Sequence, residues 1–124
     1  GLGARLRCEG GDFRSDPLPG GADVVSFIRV LHDHDDDVVL GLLRQAHAAL
    51  APGGRVLVGE PMAAIPGSIP GLEAYFAFYL LAMGQGRPRT ADELAALLTA
   101  AGFSAIRRHR TDRPWQCAVL SAVR

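Results

Sequence analysis

Residues 22–60 read ADVVSFIRVLHDHDDDVVLGLLRQAHAALAPGGRVLVGE, and this stretch decides the fold. It opens with an apolar, β-branched run (22–30) typical of a strand that is buried on both faces of a sheet. Residues 35–50 then begin with carboxylates, which favour a helix dipole, and continue with apolar residues at helical spacing. A second apolar run (55–60) follows the helix-ending sequence PGG. Strand, helix and strand in this order predict two parallel strands in an α/β fold.

The flanking patterns extend this unit in both directions. Upstream, residues 5–9 predict a short strand; downstream, a Pro- and Gly-rich loop (61–71) leads to an aromatic helix predicted over 72–83. The C-terminal part predicts a capped helix and two strands that a short turn makes antiparallel. The helix starts at Thr90, with Glu93 completing a capping box, and ends before Gly102; the strands cover 104–110 and 115–123. The expected sheet is largely parallel and finishes in an antiparallel hairpin.

Composition excludes several classes of protein. The chain has 124 residues, and its 13 Lys and Arg balance its 13 Asp and Glu, so no nucleic-acid footprint is indicated. Cys8 and Cys117 lack CxxC spacing, which argues against a zinc site or disulfide scaffold and fits a reducing cytoplasm. No apolar run approaches the roughly 20 residues that cross a bilayer, and no signal-peptide pattern is present. We expect a cytoplasmic protein without an integral membrane segment.

Polar residues follow three predicted strands, at the edge of an α/β sheet where ligands bind. Asp12 follows the first strand, His32 and Asp33 follow the second, and Glu60 ends the third. An imidazole and a carboxylate at neighbouring strand ends can form a general base and its orienting partner. Spacing alone leaves other interpretations open: His32 as a buried residue that caps the next helix, and Glu60 as the partner of a nearby arginine.

The acidic run HDHDDD at 32–37 raises the possibility of a metal site. Consecutive residues rarely converge on one ion without a loop of defined spacing. A solvated helix start is therefore favoured, and we expect no metal.

Four motifs, in order along nearly the whole chain, resemble those of one family. They are GDFRSDPLP (11–19), RVLHDHDD (29–36), ALAPGGRVLVGEP (49–61) and the segment 90–103, similar to "GDFF-DPLP", "LHDW-D", "L-PGG-VLI-E" and "RT--E---L---AGF". These are motifs of the SAM-dependent O-methyltransferases that act on small hydroxylated molecules, such as plant caffeate and flavonoid enzymes and many bacterial ones. The resemblance implies the C-terminal half of a Rossmann-like class I methyltransferase domain.

The same resemblance implies roles for individual residues. His32 would remove the proton from the substrate hydroxyl, Glu60 would orient His32, and Asp33 would accompany it as a catalytic residue. Asp12 and Phe13 would contact the adenosine part of S-adenosylmethionine (SAM), the methyl donor, and no metal would be required.

At two positions the sequence differs from the family pattern, and both differences affect the roles that the resemblance implies. Ile28 stands where many relatives have a lysine, and Pro88 stands where plant enzymes have a second glutamate. We therefore expect one cofactor contact to be lost, and the orientation of the base to rest on Glu60 alone.

The segment AYFAFYLLAMGQGRPR (74–89) resembles the carotenoid branch of the family. Enzymes of that branch methylate the tertiary hydroxyl of hydroxyneurosporene or demethylspheroidene. The substrate-binding candidates are Tyr75, Phe76, Tyr79 and Met83, which offer an apolar, aromatic wall for a long polyene. A bacterial phenol or polyketide acceptor is the alternative substrate, and a plain core helix is the alternative explanation of the aromatic residues.

None of the glycines lies in the Gly-rich turn that follows the first strand of a doubly wound domain. We therefore interpret residues 1–124 as the C-terminal part of a SAM-dependent methyltransferase catalytic domain, with the N-terminal dimerisation domain and the Gly-rich SAM loop absent. The segment alone is expected to be inactive and poorly soluble. The full-length protein is expected to be a homodimer, with a membrane-peripheral location left open by an apolar substrate. A non-catalytic interaction module with this fold stays an alternative.

Overall fold

The computed structural model describes residues 3–68 and 71–124. Four strands and three α-helices make up the regular structure of these residues, together with short 3₁₀ turns at Gly3–Arg5 and Leu31–Asp33. In chain order the elements are β1 (Ala22–Ile28), α1 (Asp36–Ala49), β2 (Leu50–Glu60), α2 (Leu72–Met83), α3 (Ala91–Ala100), β3 (Ser104–His109) and β4 (Ala118–Val123).

The strands form one mixed sheet in the order β1-β2-β4-β3. β1 and β2 are parallel, with Phe27 opposite Val58, and β2 is antiparallel to β4, which places Val58 opposite Leu120. β3 and β4 form the predicted antiparallel hairpin. The predicted α/β fold class is confirmed, with parallel pairing at one edge and antiparallel pairing at the other.

One apolar core lies between the sheet and helices α1 and α3. The predicted helical spacing of α1 is confirmed, since its buried residues recur on a single face. Burial of each large apolar side chain contributes about 1.5–3 kcal/mol relative to exposure. The largest fully buried side chains are Leu31, Val39, Leu42, Leu43, Leu50, Val56, Val58, Leu80, Leu94, Leu98 and Leu120.

The caps of α3 follow the sequence closely. The Thr90 side chain accepts a hydrogen bond from the Glu93 amide at 3.2 Å, and the Glu93 carboxylate accepts one from the Thr90 amide at 2.7 Å. This is the predicted capping box. Gly102 follows the helix with φ of 100°, a conformation that glycine adopts without a steric penalty.

Four strand predictions need correction. The strand predicted over 55–60 begins at Leu50, so the PGG sequence expected to separate helix from strand lies within β2. Residues 5–9 are exposed and, beyond Arg5 in the first 3₁₀ turn, have no regular structure, because no described strand offers their backbone a hydrogen-bonding partner. The run 22–30 is an edge strand rather than one buried on both faces, and it ends at Ile28; Val24 and Ile28 are 58% and 50% exposed. The last strand begins at Ala118 instead of Trp115, since residues 114–116 form a turn.

Helix α2 has the predicted bounds, but it is not a core helix. Leu80 is its only buried residue among those described, whereas Tyr75, Phe78 and Leu81 are about 70% exposed. Residues 69 and 70 of the predicted loop before it lie outside the described residues. No helix in the described ranges is long and apolar enough to cross a bilayer.

Candidate active site

The parallel pairing of β1 and β2 brings the sequences that follow them to the same edge of the sheet. Ile28 lies opposite Gly59, and the Arg29 amide donates to the Gly59 carbonyl at 2.8 Å. The next residues of the first segment form the 3₁₀ turn that contains His32, while β2 ends at Glu60. The structure therefore brings these two predicted site residues together.

The Glu60 carboxylate holds the turn around His32 through both of its oxygens. Oε1 accepts hydrogen bonds from the amides of Val30 and Leu31, at 2.9 and 2.8 Å, and Oε2 contacts His32 Nδ1. Glu60 and His32 are only 2% and 5% exposed. Because a carboxylate only accepts at this position, it fixes the tautomer with the proton on Nδ1 and the lone pair on Nε2.

Asp33 lies on the other side of the imidazole. Its Oδ1 atom is 3.2 Å from His32 Nε2. This oxygen is fully buried and has no hydrogen-bond donor in the described part of the chain. An imidazolium formed at His32 would therefore lie close to two carboxylates, with Glu60 hydrogen-bonded to Nδ1 and Asp33 acting through its charge.

A cavity of about 340 Å³ opens beside the imidazole. The Phe76 ring meets the His32 ring edge-on at 5.2 Å between centroids, and the Tyr79 ring lies 5.8 Å from that of Phe76. The Arg29 guanidinium lies over the Phe76 ring, 5.5 Å from its centre. The lining consists of Arg29, His32, Asp33, Tyr75, Phe76 and Tyr79.

Three of the four predicted substrate residues therefore line this cavity. Tyr75, Phe76 and Tyr79 do so, whereas Met83, at the end of α2, is 53% exposed and contributes nothing to the lining formed by the described residues. Met83 shares a helix face with Tyr79, but it lies one turn, about 5.4 Å, further along the helix axis and so beyond the cavity.

A second cavity, of about 220 Å³, shares Arg29, Tyr75 and Phe76 with the first. Its remaining wall is largely apolar and comes from the loop after β2, the start of α2 and the turn before β4. The lining residues outside the shared wall are Pro61, Met62, Ser68, Leu72, Glu73, Pro88, Trp115 and Gln116.

The predicted cofactor residues lie on the surface. Asp12 forms hydrogen bonds with the Arg14 side chain at 3.0 and 2.8 Å, which, with the Arg14 amide, lower the pKa of its carboxyl to about 2. Phe13 is 44% exposed, and its ring centre lies 5.7 Å from that of His34. Phe13 is thus available for stacking next to the turn that carries His32, and Asp12 is available once it releases an exposed arginine.

Two carboxylates of the acidic run after His32 are held by protein partners. Asp35 accepts a hydrogen bond from the Gly86 amide at 3.0 Å, and Asp36 pairs with Arg87 and Arg89. Among the described residues, no group of three or more His, Cys, Asp or Glu is arranged to hold a metal ion.

Sequence reasoning missed three residues of this site: Arg29, Gly86 and Arg89. Arg29 adopts φ of 56°, which is uncommon outside glycine and turns its side chain toward α2. Gly86 packs against the backbone of His32, and Arg89 is buried beneath the same turn. Arg29 and Arg89 could have been considered because each is a positively charged residue in or next to a recognised motif. Nothing in the sequence indicated that Gly86 contacts the backbone of His32.

A family model and curated protein sequences each match this chain. An O-methyltransferase domain model matches residues 1–104. The chain is 46% identical over 114 residues to the demethylspheroidene O-methyltransferase of Rhodobacter capsulatus, covering 92% of this chain and 29% of that protein. It is 48% identical over 126 residues to the enzyme of the same name from Cereibacter sphaeroides, covering 100% of this chain and 33% of that one.

Solved structures include chains that are similar to this one in fold and in sequence. The fold superposes on the crystal structure of human N-acetylserotonin methyltransferase in complex with SAM, with a TM-score of 0.81 and 30% identity. The alignment covers 94% of this chain and 33% of the human one. The chain thus spans about a third of the length of the curated relatives it matches.

Proposed function

Because the chain belongs to the O-methyltransferase domain family, we propose that the protein transfers a methyl group from SAM to a hydroxyl of a small hydrophobic molecule. One observation carries the proposal: a buried imidazole, oriented by a buried carboxylate, lies at the wall of an aromatic cavity. His32 is the general base, and Glu60 orients it.

The base works through the nitrogen that Glu60 leaves free. His32 Nε2 takes the proton from the acceptor hydroxyl, and the oxygen keeps the electron pair with which it bonds to the methyl carbon. The imidazolium that forms is then stabilised by the charge of Asp33, whose Oδ1 lies 3.2 Å from Nε2, while Glu60 holds Nδ1–H. When bound, SAM would supply the methyl group from its positively charged sulfur, which would keep the electron pair of the broken S–C bond and leave as a neutral thioether. Asp33 thus stabilises the protonated base, a role that its buried, unsatisfied oxygen supports.

Asp12 and Phe13 are proposed to contact the adenosine part of SAM. An exposed aromatic ring can stack on a purine, and a surface carboxylate can accept hydrogen bonds from ribose hydroxyls. The Arg14 pair of Asp12 is exposed at both ends, so its exchange for a ribose costs little.

A hydroxylated acyclic carotenoid, of the hydroxyneurosporene or demethylspheroidene type, is the proposed acceptor. The names of the two bacterial relatives support this choice. So does the pair of cavities that share Arg29, Tyr75 and Phe76, since a polyene is too long for a single cavity of about 340 Å³. The hydroxyl end would lie by His32, with Tyr75 and Tyr79 beside it. The polyene would then pass Phe76 toward Trp115, which lines the second cavity.

A phenol or a similar single-ring hydroxyl compound is the second candidate. The cavity beside His32 is by itself near the lower end of the roughly 300–1,000 Å³ usual for small-molecule sites. The likeness to human N-acetylserotonin methyltransferase also favours a compact aromatic acceptor. For either substrate, we also propose that the full-length protein is a homodimer in the cytoplasm. Only the family resemblance supports these two proposals.

The test is methyl transfer by the full-length protein with labelled SAM. The acceptors, given separately, are a hydroxylated acyclic carotenoid and a panel of phenols. His32→Ala should abolish transfer, whereas His109→Ala, on the outer strand β3, should keep it. Label in the carotenoid alone supports the first acceptor, and label in a phenol alone supports the second. Activity that survives in His32→Ala contradicts the base, and no transfer to any acceptor favours a non-catalytic module.

A further inference from the structure

We propose that Arg89 is a positioning residue for His32, and that its guanidinium is required for turnover beyond any part it plays in folding. The inference rests on the proposed function, in which His32 is the general base. Arg89 is only 2% exposed, which is unusual for an arginine and indicates that its donors are used inside the protein.

The donors of Arg89 end on the backbone around His32. Nη1 donates to the Leu31 carbonyl at 2.9 Å, and Nη2 donates to the His34 carbonyl at 2.7 Å. Nε donates to Asp36 Oδ1 at 2.7 Å, which balances the buried charge. One rigid side chain thus holds the carbonyls on both sides of the base, from a position far along the chain.

The main chain of Arg89 contacts the segment that follows Glu60. Its carbonyl accepts a hydrogen bond from the Ala63 amide at 2.9 Å, three residues after Glu60. Glu60 binds the amides of the His32 turn, and Arg89 binds its carbonyls, so the turn is held from both sides. The relative position of imidazole and carboxylate therefore depends on Arg89.

Lysine cannot replace this arrangement. The guanidinium is a planar fork with five fixed donors, whereas an ammonium is a single point from which three donors rotate. Arg89→Lys keeps the charge but leaves at least one carbonyl of the turn without its partner. A displacement of about 1 Å at a catalytic group can lower the rate by about 100-fold.

The test uses the full-length protein with Arg89→Lys, and Arg108→Lys as the matched control. Arg108 is an exposed residue of β3 that pairs with Asp92, outside the site. For Arg89→Lys we expect kcat to fall about 10- to 100-fold, with the KM for SAM within about threefold of the wild-type value. The far-downfield NMR resonance of the His32 Nδ1 proton, which reports its hydrogen bond to Glu60, should shift or disappear. Arg108→Lys should match the wild type in all three measurements.

Two results would overturn the inference. One is wild-type kcat in Arg89→Lys; the other is a loss explained by a smaller folded fraction, with the Nδ1 resonance unchanged. If Arg89→Lys does not fold, Asp36→Asn decides, since it removes the negative charge that faces Nε and Nη2 of Arg89, together with the charge that pairs with Arg87. It should give a smaller fall in kcat with a change in the same resonance, and an unchanged kcat and resonance would overturn the inference. If the wild type transfers no methyl group, or if His32→Ala keeps activity, the proposed function is wrong. In that case the NMR resonance of the His32 Nδ1 proton still shows whether Arg89 positions the imidazole.

Discussion

A β-carbon added to Gly86 would lie 2.2 Å from the carbonyl oxygen of His32, so the two backbones touch where no side chain fits. Gly86 has φ of 80°, and its amide donates to Asp35 at the start of α1. The segment after α2 is thus fitted directly against the turn that carries the proposed base. The position of His32 depends on the absence of a side chain at residue 86.

Gly86→Ala is expected to lower kcat more than about 10-fold, because the new methyl group must push the His32 turn aside. Gly84→Ala is the matched control. Gly84 has φ of 77°, but its added β-carbon would meet no atom within 4 Å. Both variants should lose about 1 kcal/mol of stability from the left-handed conformation. Gly86→Ala should lose more, because its β-carbon would meet backbone atoms of His32 and Asp33. Steady-state kinetics and thermal unfolding separate the two effects, and equal activity in both variants would contradict the prediction.

Glu60→Gln is expected to lower kcat by about 10²- to 10⁴-fold, because the amide can present its NH₂ group to His32 and favour the wrong tautomer. One acceptor oxygen remains for the amides of Val30 and Leu31, so the fold should persist. Glu9→Gln is the control, since Glu9 is an exposed residue paired with Arg7. Kinetics with far-ultraviolet circular dichroism make the test; a folded Glu60→Gln enzyme with wild-type kcat would show that Glu60 does not orient the base.

Local patterns in the sequence predicted most of the fold. The capping box at Thr90 and the helical spacing of α1 depend on residues within a few positions of each other, and both elements have nearly the predicted bounds. The strand predicted over 5–9 was wrong because a strand needs a partner, and apolar composition does not show whether one lies alongside. The same limit applies to Val24, which is β-branched and apolar yet lies exposed on an edge strand.

The site residues also fall into two groups, those that local sequence patterns predicted and those that they did not. His32 and Glu60 could be predicted because parallel strands bring their carboxyl ends to one edge of the sheet. Arg89 and Gly86 could not be assigned contacts, since they reach the site through a return of the chain after α2 that no local pattern describes. Met83 was assigned to the substrate from the resemblance of residues 74–89 to the carotenoid branch and from its apolar side chain, and the described structure places it beyond the cavity lining.

Asp36→Asn is expected to destabilise the protein at neutral pH and to lose that effect in acid. Hydrogen bonds from Arg89, and then from Arg87, hold the pKa of the Asp36 carboxyl below its usual value. A lowered pKa stabilises the fold above the usual value of about 3.9, and this contribution disappears as the pH falls through the lower folded-state value. Since the Asp36 side chain is 53% exposed, we expect about 1 kcal/mol.

The measurement is urea unfolding of wild type and Asp36→Asn from pH 8 down to pH 3. Asp37→Asn is the control, because Asp37 is the next residue of the same first helical turn and is exposed. The difference between wild type and Asp36→Asn should stay constant above about pH 5 and shrink below about pH 4. A difference that grows toward acid would show that the Arg89 pair does not stabilise the ionised carboxylate.

Phe76→Leu is expected to raise the KM of the acceptor about 10-fold, since an aromatic contact contributes about 0.5–1.5 kcal/mol beyond its buried area. The ring touches His32 edge-on, supports the Arg29 guanidinium and lines both cavities. Phe78→Leu makes the same chemical change two residues later on α2, where the side chain is 71% exposed, and it should change KM less than twofold. Steady-state kinetics with the acceptor found in the transfer assay make the test. If the two variants behave alike, the acceptor does not contact the Phe76 side of α2, and the proposed route from His32 toward Trp115 is wrong.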